Sequence, residues 1–158
     1  MGQYWKAVNL DKREVVDPHK LGVGLKLGEQ VGSGHGTPDA LFILVACMRG
    51  RRGGGDFDWD SNFYGPERNN SIPEHCTDGG PITPYNEIAK RTIGRWAGDR
   101  IAIVGDYSED SDLPSYPGFG SLYGDETLAD ITDDVAQVIE HEVGGKFSGD
   151  GWKTFTRY

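Results

Sequence analysis

One segment near the end of the chain restricts the possible folds most, because its apolar residues recur at helical spacing. The segment from 131 to 143 carries them on one side: Ile131, Val135, Val138, Ile139 and Val143. Asp130 or Thr132 is placed to cap this helix, and the pair Gly144-Gly145 is placed to end it. A helix with one apolar side is stable in water only when that side is packed against other elements.

Two more helices are predicted upstream of this one. Thr37 is a suitable N-cap followed by Pro38 at the first helical position, and the apolar run continues to Met48. This helix is apolar on every side, which is typical of a central, buried helix. The other helix spans 84–97, with its buried stripe formed by Ile88, Ala89, Thr92, Ile93, Trp96 and Ala97.

Strand patterns occupy both ends and the middle of the chain. Residues 3–10 alternate so that one face carries Tyr4, Lys6, Val8 and Leu10. A turn at 11–13 and a returning strand at 14–16 predict an opening hairpin, and further strands are predicted at 100–104 and 152–156. We therefore expect one α+β domain over residues 1–158, with three helices on a small, mostly antiparallel sheet. Long Gly-rich loops are expected at about 49–83 and 105–129.

Composition and charge narrow the class of protein and its partners. Hydrophobic residues make up 36% and charged residues 26%, with 24 glycines, which excludes a disordered tail, a coiled coil and a collagen-like repeat. No apolar run reaches membrane-spanning length and the chain opens without a signal peptide, so we expect a cytoplasmic protein with no membrane partner. The net charge of −9 disfavours nucleic acid and fits a basic protein partner.

The segment 56–67 has carboxylates at the spacing of a calcium-binding loop. Asp56, Asp58 and Asp60 alternate, and Glu67 occupies the position of the closing bidentate ligand. The Asn62 backbone carbonyl and, through water, Tyr64 would complete the ligand set for Ca²⁺. Ser61 in place of glycine, Pro66 and the preceding glycines exclude an EF-hand. A free-standing Ca²⁺ loop and a solvated acidic loop remain open.

A set of basic and aromatic residues suggests a site for an anion. Arg91 and Arg95 lie one helical turn apart, beside Trp96 and shortly before Arg100. Three basic residues of the early Gly-rich segment would complete the site if the fold brings them to the same place: His19, Lys20 and Lys26. Arginines next to aromatic rings suit a nucleotide or another phosphate ligand. The alternative is that Arg91, Arg95 and Glu87 form an ordinary solvated row on a helix.

Motifs for catalysis are weak. The acidic loop 106–112 follows a predicted strand, but it has no partner histidine at a defined spacing. The sequence has no G-x-S-x-G elbow and no catalytic Cys–His signature. No motif supports enzymatic activity, so a non-enzymatic protein is favoured.

Three segments carry a resemblance to known sequences. They are the opening Met-Gly-Gln-Tyr-Trp-Lys-Ala-Val-Asn-Leu, the Asp-Pro-His-Lys at 17–20, and the segment 91–106. The chain resembles, over most of its length, a family of hypothetical proteins from actinomycete and phage genomes. That family has no assigned activity, so the resemblance implies a bacterial or phage cytosolic context and supplies no site residues.

Three functions remain open on the sequence. The leading hypothesis is a small non-enzymatic binding protein that sequesters a nucleotide-like or other anionic ligand, with a calcium-binding acidic loop. The second is a metal-dependent phosphoester hydrolase that uses the acidic loop for its metal. The third is an acidic, immunity-type inhibitor of a basic protein. The sequence does not indicate the oligomeric state.

Overall fold

The computed structural model describes residues 2–32, 35–46, 84–143, 145–147 and 156–157. Two 3₁₀ helices, Asp110–Asp112 and Phe119–Gly124, lie between β3 and β4. The helices and strands, in chain order, are β1 Trp5–Asn9, β2 Glu14–Val16, α1 Pro18–Leu21, α2 Leu27–Gly32, α3 Thr37–Val45, α4 Pro84–Thr92, β3 Ile101–Gly105, β4 Ala129–Asp130, α5 Thr132–Val143, β5 Gly145–Lys146 and β6 Thr156–Arg157.

Four of the strands form one mixed sheet in the order β3-β1-β2-β4. The central strand β1 is antiparallel to both of its neighbours, with Ala7 opposite Val16 and Trp5 opposite Gly105. The short strand β4 joins β2 in parallel. The predicted α+β class, the opening hairpin and the mostly antiparallel sheet are confirmed.

The sheet is buried on both faces, and alternation along β1 assigns its residues to two cores. Ala7 points to the larger core with Val16, where α3, α4 and α5 supply apolar residues around Trp96. Val8 points to the other face with Val15, where Phe119 and Leu122 of the second 3₁₀ helix cover it. The predicted loop at 105–129 therefore packs on the sheet and forms much of one core.

The hairpin turn between β1 and β2 is held by side chains. The buried Asn9 accepts backbone hydrogen bonds from Asp11 and Lys12, and its amide donates to Asp99 at 2.8 Å. Arg13 has a positive φ of 55°, and its guanidinium pairs with Asp125. These contacts tie the turn to Asp99, which precedes β3, and to Asp125, which follows the second 3₁₀ helix.

Helix α1 follows β2 directly because its first residues provide both a cap and a suitable backbone. The Asp17 side chain accepts the His19 N–H, and Pro18 occupies the first helical position. Gly22, at φ 64°, ends the helix in the left-handed conformation. The Asp17 N–H in turn donates to the Thr132 hydroxyl at 2.8 Å, which ties α1 to the start of α5.

Helix α3 corrects two predictions. Its N-cap is Gly36, and Thr37 is the first helical residue, whose hydroxyl has no hydrogen-bond partner among the described residues. The helix is also not buried on every side, since Phe42 is 82% exposed. The physical reason is that α3 packs through one face, on which Ala40, Ile43 and Leu44 are buried.

Helix α4 ends earlier than predicted, at Thr92, and a turn leads from it onto α3. Gly94 donates its N–H to the Ile43 carbonyl at 2.9 Å, and Trp96 donates to the Leu44 carbonyl at 2.8 Å. Gly94 has φ +73°, and a Cβ placed on it would lie 2.6 Å from the Ala46 carbonyl oxygen. The turn thus approaches the end of α3 more closely than a side chain at this position permits.

Helix α2 was not predicted from the sequence. The helix α2 lies in the Gly-punctuated segment, where the sequence suggests only a short element at 25–27. Its Gln30 is buried and donates to the carbonyls of Trp5 and Leu25. None of the helices in the described part of the chain combines the length and the apolar character needed to cross a membrane.

Acid is expected to destabilise this fold. Burial opposes ionisation of Glu14 and Asp130, but hydrogen bonds from Arg95 and Thr132 outweigh it and lower the pKa of both carboxyls. Hydrogen bonds also lower the pKa of Asp11 beside Arg100, Asp99 beside Lys12 and Asp125 beside Thr127. The unfolded chain therefore binds these protons more readily than the folded protein does. The contribution of these carboxylates to the free energy of unfolding should be fully present near pH 7 and should fall progressively below roughly pH 5.

The urea midpoint measured between pH 7 and pH 3 tests this expectation. A midpoint that stays constant over this range contradicts it. Asp130→Asn is the matched variant, because it removes one titrating carboxyl and should flatten the pH dependence.

Candidate functional site

Three strand ends meet at one edge of the sheet and bring polar side chains together. Because β1 is antiparallel to β2 and β3, the start of β1 lies beside the ends of both neighbours. Lys6 belongs to the start of β1, Asp17 follows β2 and Asp106 follows β3. We call this group the strand-end site, and its members are Tyr4, Lys6, Asp17, His19, Asp106 and Tyr123.

Asp17 lies at the centre of the strand-end site, and both of its carboxylate oxygens are occupied. Oδ1 accepts the backbone N–H of His19 and lies 3.0 Å from the His19 Nδ1. Oδ2 lies 3.1 Å from the Lys6 Nζ. Since its backbone N–H also donates to Thr132, Asp17 is held from three sides. It can orient its neighbours but has little capacity for a further ligand.

His19 has a defined tautomer and a half-exposed ring. A carboxylate can only accept, so Nδ1 carries the proton in the bond to Asp17, and neutral His19 keeps its lone pair on Nε2. The ring of Tyr4 packs edge-on against the imidazole, with 6.3 Å between the ring centroids. His19 thus presents an oriented hydrogen-bond acceptor at the surface, next to an aromatic ring.

The Lys6 ammonium group interacts with two other members of the strand-end site, Asp17 and Tyr123. Its Nζ contacts Asp17, donates to the Tyr123 carbonyl at 3.3 Å and lies 4.6 Å from the centroid of the Tyr123 ring. Burial raises the pKa of the Tyr123 phenol, and the negative charges of Asp106 and Asp17 raise it further. Tyr123 therefore stays a neutral phenol well above neutral pH.

Asp106 extends the pairing between β1 and β3 by one residue. Its N–H donates to the Tyr4 carbonyl at 3.0 Å, and its Oδ1 accepts the Tyr4 N–H at 3.0 Å. Among the residues that the structure describes, Lys6 and His19 pair with Asp17, and no Lys, Arg or His pairs with Asp106. Tyr107, the next residue, is 62% exposed.

Comparisons with protein-family models, curated proteins and solved structures find no match. The resemblance to a family of hypothetical actinomycete and phage proteins stays a prediction. The function of this chain is accordingly inferred from its own residues.

The basic residues that the sequence groups into one anion site are divided between separate places. Arg100 precedes β3 and pairs with Asp11 at 2.6 Å, at the hairpin end of the sheet. His19 lies at the opposite end, and Lys26 forms a backbone bridge with Tyr4 near it. The antiparallel register separates Arg100 from His19, so the expected convergence does not occur. The remaining pairs are Lys20–Asp130, Lys26–Glu29 and Arg91–Asp134.

Arg95 and Trp96 both bind Glu14. Arg95 contacts the two Glu14 oxygens, with 2.5 Å from Nη2 to Oε1, and the Trp96 indole N–H donates to Oε2 at 2.8 Å. Glu14 is buried, and Trp96 is 0% exposed. Trp96 therefore offers no ring face on which a ligand could stack, and these three residues join α4 and its turn to the hairpin.

The predicted calcium ligands belong to the segment between α3 and α4. Asp56, Asp58, Asp60, Asn62, Tyr64 and Glu67 lie outside the described residues. Within the described residues, no three His, Cys, Asp or Glu side chains are grouped so as to hold a metal ion. Calcium binding by the acidic loop stays a prediction.

The strand-end site combines residues that the sequence analysis treats separately. His19 is assigned there to the anion site, and Asp106 to a loop without a partner histidine. Tyr4 links them, because its ring contacts His19 and its backbone bonds to Asp106, 102 residues away. The hairpin alone places residues 4–6 beside 17–19, so the first half of the site was accessible from the sequence. The pairing of β3 with β1 was not.

Proposed function

We propose that this protein binds a small polar ligand at the strand-end site. The observation that carries the proposal is the His19 imidazole, which Asp17 holds in one tautomer while the ring stays half exposed beside Tyr4. A fixed acceptor at the surface costs little entropy when a ligand bonds to it. Aromatic surface next to such a group is typical of ligand sites.

The other charged clusters support a structural role more than a binding role. Arg95 is matched to Glu14, Arg91 to Asp134 and Arg100 to Asp11, and each pair joins two elements of the fold. An anionic ligand at any of these arginines would have to displace a carboxylate that already makes two or more hydrogen bonds. The strand-end site differs from these pairs in two respects. The His19 Nε2 is an acceptor, and Asp106 forms no ion pair with a Lys, Arg or His among the described residues.

A ligand at this site should perturb a small, contiguous set of backbone amides. We would titrate the full-length protein with tetramethylammonium chloride, tert-butanol and AMP, and follow amide chemical shifts by NMR. A probe that binds should shift the amides of Tyr4, His19 and Asp106 more than the rest. Since tetramethylammonium has no hydrogen to donate, the bond to the His19 Nε2 is tested with the probes that carry a donor, tert-butanol and AMP. His19→Gln should weaken the binding of such a probe by up to about tenfold, since one hydrogen bond contributes roughly 1 kcal/mol.

His35→Gln is the matched control, because the His35 Nδ1 also contacts a carboxylate, at 2.7 Å from the Asp39 Oδ2. This substitution should leave the binding of the probe unchanged. Shifts centred on Arg91 and Arg95 would instead favour the anion site predicted from the sequence. No localised response to any of the three probes would overturn the proposal.

A further inference from the structure

We infer that the ligand of the strand-end site carries a positive charge on an ammonium or guanidinium group, with Asp106 as its counter-ion. The inference rests on the proposed function and specifies the chemical class of the ligand. Two observations support it: the balance of charges in the site and the two exposed tyrosines that neighbour Asp106.

The charges of the site leave one carboxylate unmatched. Asp17 is paired with the Lys6 ammonium at 3.1 Å, and it also accepts a hydrogen bond from the His19 Nδ1 at 3.0 Å. Lys26, the next basic residue along this edge, lies 3.9 Å from Glu29. Asp106 has no such partner in the described part of the chain. An anion placed here would face Asp106 and Asp17, and the net charge of −9 would oppose its approach.

Two exposed tyrosines are neighbours of Asp106, one across the β1–β3 pairing and one along the chain. Tyr4 pairs with Asp106 through two backbone contacts and is 41% exposed, and Tyr107 is the next residue along the chain. The faces of tyrosine rings attract organic cations, and the Asp106 carboxylate adds the opposite charge. A small divalent ion, in contrast, needs about six oxygen ligands, which one carboxylate and two rings do not supply.

The contacts of Asp106 allow its charge to be tested separately from its structural role. Oδ1 accepts the Tyr4 N–H, and an asparagine at this position can accept the same hydrogen bond through its side-chain carbonyl. Asp106→Asn therefore removes the charge and keeps the pairing of β3 with β1. Asp133→Asn is the matched control, because it makes the same change at an exposed position on α5.

The experiment compares tetramethylammonium with tert-butanol, a neutral molecule of similar shape, at constant ionic strength maintained with sodium chloride. Tetramethylammonium should shift the amides of Tyr4, Asp106 and Tyr107, and tert-butanol should shift them at least about fivefold less at the same concentration. Asp106→Asn should weaken tetramethylammonium binding by about tenfold, since a charge-assisted contact is worth roughly 1–2 kcal/mol. Asp133→Asn should change it less than twofold.

Three results would overturn the inference alone, and a fourth would also overturn the proposed function. Equal binding of tert-butanol, or unchanged binding by Asp106→Asn, would show that charge does not select the ligand. Shifts of the same amides by AMP and not by tetramethylammonium would assign an anionic ligand and leave the binding site in place. If none of the probes shifts these amides, both proposals fail.

Discussion

Glu14→Ala is expected to lower the free energy of unfolding by about 3 kcal/mol, because it removes the partner of a largely buried charge. The Glu14 side chain is 6% exposed and binds Arg95 through both oxygens. The Arg95 side chain is 35% exposed and can reach water in part, which places the loss toward the lower end of that seen for buried pairs. The Trp96 indole N–H would also lose its acceptor in a buried position.

Two variants separate these contributions in urea unfolding experiments. Glu14→Gln keeps an acceptor for Trp96 and should cost less than Glu14→Ala. Asp134→Ala removes the carboxylate from a pair of similar geometry, 2.7 Å from Arg91, whose side chain is 54% exposed. It should cost no more than about 1 kcal/mol. Equal losses from Glu14→Ala and Asp134→Ala would contradict the importance of burial.

Gly94→Ala is expected to destabilise the fold by about 2–4 kcal/mol, for two additive reasons. The residue has φ +73°, which an alanine adopts only at a conformational cost. The new Cβ would also lie 2.6 Å from the Ala46 carbonyl oxygen, a backbone atom that cannot rotate away. To relieve this contact, the turn must move away from α3 and weaken the hydrogen bonds from Gly94 and Trp96.

Gly98→Ala is the matched control for this prediction. Gly98 has a similar φ of +84°, but a Cβ added there would meet nothing within 4 Å. Its cost should be the conformational part alone, about 1 kcal/mol. The difference between the two thermal or urea unfolding free energies measures the contact with Ala46. Identical losses would show that the turn yields without cost.

Local patterns predicted the local parts of this fold. The hairpin, strand β3 and helix α5 follow from alternation, helical spacing and capping residues that act within a few positions of one another. Of the predicted face with Tyr4, Lys6, Val8 and Leu10, the last three lie on the side covered by the 3₁₀ helices. Helix α4 is shorter than predicted, since Gly94 ends the helical path while the apolar spacing continues to Trp96.

Charge pairing between distant segments was the part that the sequence did not reveal. Arg95 is four positions after Arg91, and this spacing suggested a shared anion site. In the structure Arg95 turns to Glu14, which is 81 residues away. Likewise the relation of Asp106 to His19 depends on the register of β3 against β1. A periodic pattern identifies a strand, but it does not specify which strand becomes its neighbour.

The position of β1 at the centre of the sheet limits the order in which the protein can assemble. Its hairpin partner β2 follows within a few residues, so this pair closes a short loop at small entropic cost. The hydrogen-bonding partner for its other edge is β3, which begins only at Ile101. During synthesis, one edge of β1 therefore remains unpaired at least until about two-thirds of this chain has been made. Contacts of such high sequence separation make the closing of the sheet a late and slow step, and the strand-end site forms only then.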